Sequence, residues 1–382
     1  MNFDLSEEQS MLADSLSGYL TANYGFEARK AVVASEAGWS TGVWSGFAHE
    51  LGILGALAPE AVGGLDGGAV EAMILMEAAG KALVVEPLME TAVVGVGLLK
   101  RAGGERADAV LQSIVEGTAV VAFGHGEPRG RHALLSVATT AARSGDGWVL
   151  SGAKAVVSAA PWATHLIVSA RTSGGEAGDP AGLSLFLIEV AAHRDSGLSV
   201  RGYPTVDDRH AAEVVMERLV LPADALLGIE GEAFDALIAP VMDEAVAALC
   251  AEAVGVLREL HGQTLDYVKQ RKQFGRPIGE FQVLQHRLAD MFMAVEQAVS
   301  LTYMATLKLG EPAAERGRAV SAAKFGVSKA LRFVGQNAVQ THGGIGVTDE
   351  LALSHYFRRA SAIEIQLGSV EQHLRRFIAL AA

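Results

Sequence analysis

The chain has 382 residues, half of them apolar and a fifth charged, so it can build more than one core and is too apolar for wholesale disorder. Lysine and arginine number 31 against 44 aspartates and glutamates, a formal charge of −13, which argues against a protein that grips phosphate backbones. Cys250 is the only cysteine, so an intrachain disulfide and any multi-cysteine metal site are excluded.

The first residues, MNFDLSEEQ, are acidic where a signal peptide is basic, and no run of ~20 apolar residues occurs. A cytoplasmic chain without a membrane span is the expectation. Residues 1–118 read as helical. Ser6 and Gln9 have capping-box spacing, and Met11, Leu12, Leu16, Tyr19 and Leu20 follow at helical intervals. Pro59 and the pair Gly63 and Gly64 interrupt before a second helix over 67–83.

Residues 119–230 change character. Short β-branched runs at 119–123, 137–142, 148–150, 155–158, 166–170, 183–190 and 212–216 are separated by turn clusters such as Ser144-Gly145-Asp146-Gly147. The spacing predicts an antiparallel β-domain, barrel or sandwich. Residues 231–382 are helical again, with few breakers over 232–270 and long Ala/Leu/Met patterns over 282–309 and 314–340. Long helices that turn back on one another make a bundle. The expected class is α+β: a helical domain over 1–118, a β-domain over 119–230 and a bundle over 231–382.

Two motifs stand out in the last zone. In RKQFGRPIGEFQ, residues 271–282, Arg271, Lys272 and Arg276 place positive charge in an acidic chain, and two glycines and a proline fix a tight connection. Guanidinium forks suit phosphate oxygens, so a pyrophosphate clamp is one reading and a solvated interhelical turn the other. In QTHGGIG, residues 340–346, adjacent Gly343 and Gly344 allow close backbone approach, or end a helix in the ordinary way. His342, His355 and His373 lack metal-ligand spacing, and no metal site is expected. Cys250, in VAALCAEAVG, reads as a buried inert thiol. No GxGxxG followed by a βαβ pattern occurs, so a Rossmann cofactor site is unsupported.

The order of the zones, with DLSEEQSMLADSL, RKQFGRPIGEFQVLQHRLADM and QTHGGIGVTDELALSHYFRRA, resembles the acyl-CoA dehydrogenase family over essentially the whole chain. The resemblance implies a helical domain, a β-domain and a C-terminal four-helix bundle. It also implies FAD, an acyl-CoA substrate and electron-transfer flavoprotein as a partner. A carboxylate takes the α-proton of the thioester while hydride leaves the β-carbon for the flavin. Arg271 matches the position that binds FAD phosphates, and Phe274 an aromatic along the nucleotide. Gln340, Gly343 and Gly344 match contacts to the adenosine and pyrophosphate. In the family these contacts reach a flavin held mainly by a neighbouring subunit, which implies an oligomer, a tetramer.

Several residues depart from the family pattern. The usual catalytic glutamate position is Leu367, in Leu367-Gly368-Ser369, with Glu364 one turn upstream. The alternative base position of some members is Ala245; Glu244 is next to it but rotated by about 100° on a helix. Val246 stands where an arginine helps to hold CoA. The flavin-cradling loop is Gly126-Glu127-Pro128-Arg129-Gly130-Arg131-His132-Ala133, without its usual small hydroxyls, and the flavin-covering tryptophan is replaced in Val156-Val157-Ser158-Ala159, where Ser158 keeps a hydroxyl. Residues acting on the chain's own flavin are degraded, and those reaching a partner's flavin are kept. Within the family this resembles the small subunits of heterotetrameric members, pimeloyl-CoA dehydrogenase among them, also in Glu371-Gln372-His373-Leu374-Arg375-Arg376. The expected role is the supporting subunit of a hetero-oligomer with a homologous catalytic subunit. Two alternatives stand beside it: a self-sufficient homo-oligomer using Glu244 or Glu364 as a displaced base, and a non-enzymatic acyl-CoA or flavin binder.

Overall fold

The computed structural model describes residues 4–130, 133–173, 178–194 and 196–381. In chain order the helices are α1 (Glu7–Asn23), α2 (Phe26–Val33), α3 (Thr41–His49), α4 (Ala69–Ala82), α5 (Val96–Ala102), α6 (Glu105–Val115), α7 (Val190–His193), α8 (Ala239–Gln270), α9 (Gln282–Leu307), α10 (Ala313–His342), α11 (Ala352–Ile365) and α12 (Val370–Ala379). The strands are β1 (Val121–Gly124), β2 (Thr140–Ser144), β3 (Gly147–Ser158), β4 (His165–Arg171), β5 (Leu183–Glu189), β6 (Leu198–Pro204), β7 (His210–Leu221), β8 (Leu226–Leu227), β9 (Lys272–Gln273) and β10 (Arg276–Pro277). The chain divides into two compact units, residues 1–31, 69–84 and 246–382 in one and 32–68 and 85–245 in the other.

The first unit is helical. The capping box that opens α1 forms as expected: Gln9 N donates to Ser6 Oγ at 3.1 Å, and Ser6 N donates to Gln9 Oε1 at 3.0 Å. Helix α8 contributes Leu249, Val254, Leu257 and Leu260 to the core, each essentially inaccessible. Each such side chain contributes about 1.5–3 kcal/mol when fully buried. Helix α10 buries Val320, Ala323, Val327, Leu331 and Val334, a stripe at helical spacing. Helices α4 and α8 approach until their backbones touch. A Cβ on Gly80 would lie 2.0 Å from Glu252 O, and one on Gly255 would lie 2.2 Å from Glu77 O.

The second unit is built on an eight-stranded sheet of order β6-β7-β3-β2-β4-β5-β8, with β1 joined to β4. Pairing is mostly antiparallel, but β1 runs parallel to β4, a detail the strand spacing did not reveal. The runs at 148–150 and 155–158 are one strand, β3. Its ladder with β7 shifts register between Leu150 and Gly152 and again between Lys154 and Val157. Strand β6, LSVRGYP, escaped the sequence reading because it is polar and mostly exposed. Val190, placed at the end of a strand by its β-branching, instead begins α7. Inside, Trp148 meets Phe186 edge-on with ring centres 5.1 Å apart, among buried Leu150, Leu166, Val168, Ile188 and Leu219.

Two π-helical segments, Met89–Gly95 and Phe234–Ile238, belong to this unit. The first is tied to β1 through Thr91, whose hydroxyl donates to Val121 O at 3.2 Å and accepts from Val121 N at 3.1 Å. Among the described residues no helix is long and apolar enough to cross a membrane.

Candidate functional site

The two motifs of the C-terminal zone come together at one end of the helical unit. Helix α8 runs out at Gln270, and β9 and β10 pair around Phe274 and Gly275. Both turn residues have positive φ, +55° and +81°, the signature of a type I′ hairpin. Glycine suits that conformation; phenylalanine is strained in it, yet its ring stands 91% exposed at the tip. Phe281 backs the hairpin, with the Arg276 guanidinium 4.3 Å above its ring and the Phe274 ring edge-on at 6.1 Å. Arg271, Lys272 and Arg276 are all exposed.

Helix α10 ends at His342, whose ring stacks on Tyr267 of α8 with centres 4.2 Å apart and planes 27° from parallel. Gly343 follows with φ +68°, and a Cβ on either Gly343 or Gly344 would meet nothing within 4 Å. The main chain there is open, and Gln340 is exposed one turn earlier. The cationic hairpin and the open turn, some 70 residues apart in sequence, therefore present guanidinium forks and bare backbone together. That chemistry suits a phosphate-bearing ligand.

The positions considered for a catalytic base have a different character. Leu367 is half-buried with φ +56°, and its carbonyl accepts from His373 Nε2 at 2.9 Å. Upstream, Arg332 donates to both oxygens of Glu364, Nε to Oε2 at 3.1 Å. Glu244 is held in the same way in the sheet unit, Arg101 reaching both of its oxygens and Nη1 lying 3.1 Å from Oε2. Its neighbours Ala245 and Val246 are buried, so Glu244 does point away from their face.

Beneath the α11–α12 turn lies a polar scaffold that sequence reading missed. Lys324 is fully buried and donates to Ile363 O, to Glu364 O at 3.3 Å and to Ser328 Oγ at 3.2 Å. It thus caps the last carbonyls of α11 with a positive charge, where the helix dipole favours one. Burial pulls its ammonium down to about 8. Burial likewise pushes the neighbouring Cys250 thiol up to about 12, the inert thiol expected. Arg359 pairs with Glu252 at 2.7 and 2.6 Å, both buried, and also donates to Gln366 Oε1 at 3.1 Å. A lysine about three turns inside an alanine-rich helix was the available signal.

In the sheet unit the loop after β1 is organised inward. Glu127 accepts from Ala138 N at 2.7 Å, Thr139 N at 2.9 Å, Thr139 Oγ1 at 2.6 Å and Lys154 Nζ at 2.7 Å. Burial would raise this carboxyl, but the Lys154 charge and these bonds hold it below the usual range. Lys154 itself is pulled down to about 8 by burial, against the opposing Glu127 charge. Lys154 also donates to Ser169 Oγ at 3.2 Å, which leaves the Ser169 hydroxyl proton for His125 Nδ1 at 2.9 Å. His125 Nε2 then donates to Leu134 O at 2.8 Å. Burial, and next the Lys154 charge, lower the His125 imidazole to about 4, so it is neutral.

Arg129 is exposed, and Arg131 and His132 lie outside the described residues. Val156 sits in the β3 bulge with φ +52° and is 62% exposed, while Ser158 is half-buried opposite Ala211. A β-branched residue held in that conformation stores about 1–3 kcal/mol of strain, the kind of outlier found at functional sites.

Comparison with known proteins bears on what this geometry serves. Three family models match in register: acyl-CoA dehydrogenase N-terminal domain at residues 6–118, middle domain at 122–219 and C-terminal domain at 236–381. The chain belongs to the acyl-CoA dehydrogenase family. It is 32% identical to acyl-CoA dehydrogenase FadE12 of Mycobacterium tuberculosis, over 92% of this chain and 90% of that one. Its fold matches a chain of the ChsE4-ChsE5 complex from Mycobacterium tuberculosis with a TM-score of 0.88, at 25% identity over 99% and 98% of the two chains. It matches PigA in its FAD complex with a TM-score of 0.89, at 26% identity over the full length of both.

Proposed function

We propose that this chain is the supporting subunit of a heteromeric FAD-dependent acyl-CoA dehydrogenase. It presents the 271–281 hairpin and the 340–347 turn to a flavin nucleotide held by a homologous catalytic subunit. One observation carries the reading. Residue 367 is leucine and both oxygens of Glu244 and of Glu364 are engaged by arginine, while Arg271, Lys272 and Arg276 of the hairpin stay exposed. The ChsE4-ChsE5 complex, a two-chain assembly by its name, lends support. The small subunit of pimeloyl-CoA dehydrogenase remains the comparison we favour within the family, and 1–118, 119–230 and 231–382 the division into domains.

The residues present fit FAD unequally. Arg271, Lys272, Arg276 and the open main chain at Gly343 and Gly344 suit its pyrophosphate, and Phe274 and Gln340 flank the same place. In the sheet unit Gly126 stands where a hydroxyl would bond the flavin ring, Glu127 is consumed by Lys154 and Thr139, and only Ser158 keeps a hydroxyl. When bound, FAD supplies the acceptor for hydride from the β-carbon of an acyl-CoA. This chain's part is to neutralise phosphate charge and orient the nucleotide from outside the partner's own site. The α-proton then goes to a carboxylate of the catalytic subunit.

Purification of the chain alone, with flavin counted per protomer after denaturation, tests the reading. The expected result is a colourless chain that gains flavin and dehydrogenase activity only when co-expressed with a catalytic homologue. One FAD per isolated chain together with turnover would overturn it.

A further inference from the structure

The hairpin and the turn that face the nucleotide are each weak elements. The hairpin is a ribbon of two-residue strands closed by a strained phenylalanine, and so short a ribbon has little stability of its own. The turn is glycine-rich and leaves the end of a long helix. Neither can hold a guanidinium or a backbone N–H at a set place unless something else fixes it.

One side-chain pair joins them. Tyr267 lies one helical turn before the hairpin, and Arg271 N donates to Tyr267 O at 2.8 Å. His342 is the residue immediately before Gly343. The two rings stack at 4.2 Å, and Tyr267 Oη donates to His342 O at 3.3 Å. The imidazole cannot swing, because Nδ1–H donates to Ala338 O at 2.8 Å. The stack thus spans from the base of the hairpin to the base of the turn, with no other residue between.

We propose that Tyr267 and His342 form a clip that makes the hairpin and the turn a single clamp, and that this pair positions the phosphate-binding groups without touching the ligand. The inference rests on the nucleotide reading above and adds to it a mechanism of preorganisation. Two half-sites fixed relative to each other bind one ligand with less ordering on binding than two that move independently. Their contributions are then energetically coupled. Without the clip each half-site acts alone.

The test is a titration of the co-expressed complex, stripped of its flavin, with ADP, followed by calorimetry, in two backgrounds. In the wild-type background, Arg271→Ala and Gln340→Ala probe the hairpin and the turn. Their combined effect on Kd should depart from the product of the single effects by about 5-fold, as for residues sharing one network. In a Tyr267→Leu background the same cycle should close to within about 2-fold. His342→Leu removes the other ring and should do the same, which covers the case in which Tyr267→Leu fails to fold. His342→Phe keeps an aromatic partner and should restore the coupling, a rescue that a merely destabilised helix end would not show. Coupling that persists in both leucine backgrounds overturns the clip and leaves the nucleotide reading standing. Arg271→Ala and Gln340→Ala variants whose complexes bind ADP as tightly as wild type overturn the nucleotide reading, and the clip with it.

Discussion

Replacing Lys324 with methionine isolates the cost of a buried ammonium. The side chain is inaccessible to solvent, and burial lowers it from 10.5 to about 8. In the unfolded chain it titrates near its ordinary value, so between pH 8 and 10.5 the unfolded state carries a proton that the folded state lacks. Stability then rises with pH across that window, by ~3 kcal/mol in all. Below pH 8 the penalty is present in full. The methionine variant carries no such penalty, but it leaves Ile363 O, Glu364 O and Ser328 Oγ without their donor, a loss of about 1–3 kcal/mol at any pH. The two terms nearly cancel at pH 7, and only the loss remains at pH 10.5. Urea denaturation of both proteins at several pH values reads the difference directly. The gap between them should widen by ~3 kcal/mol from pH 7 to pH 10.5, with wild type the more stable at the alkaline end. Parallel stability profiles would refute a lowered titration of the buried lysine at the end of α11.

Other substitutions probe the rest of the site. Glu244→Gln and Glu364→Gln, assayed in the co-expressed complex, should leave kcat/KM unchanged and cost at most about 1 kcal/mol of stability, since both pairs are partly exposed. A loss of several kcal/mol of transition-state stabilisation in either would instead mark it as the base. Arg359→Leu strands the buried Glu252 carboxylate and should lower the stability measured by urea by about 3–5 kcal/mol. His125 binds its proton at about 4 in the fold against 6.5 outside it, so its contribution is complete above pH 6.5 and is lost as pH falls toward 4. His125→Gln should flatten the acid limb of the stability profile by ~3 kcal/mol.

Patterns confined to one element were legible from sequence alone. The capping box at Ser6, the long helices α8, α9 and α10 and the buried state of Cys250 all follow from periodicity and local chemistry. The two ligand-facing motifs were legible as motifs, but each on its own had an ordinary reading as a turn. What joins them is a contact between Tyr267 and His342, and tertiary contacts leave no local trace in sequence. The same limit hid the roles of Lys324, Glu252 and Arg359, buried charged residues whose partners lie far away in sequence. Strand β6 was missed because an exposed strand does not need alternating apolar residues. Glu244 was readable as a poor base from its rotation on the helix, but its arginine partner, 143 residues away, was not.

The contact of α4 with α8 bears on how this chain can change over time. Gly80 faces the backbone of residue 252, and Gly255 faces that of residue 77, so each glycine meets a peptide group and not a side chain. A crowded side chain can be relieved by trimming its neighbour, but a peptide group cannot be trimmed. No second-site change nearby therefore compensates for even a methyl group at either position. In helices otherwise rich in alanine, alanine itself is the residue these two places refuse. A deep mutational scan should show them as two isolated invariant points, each independent of the sequence around it.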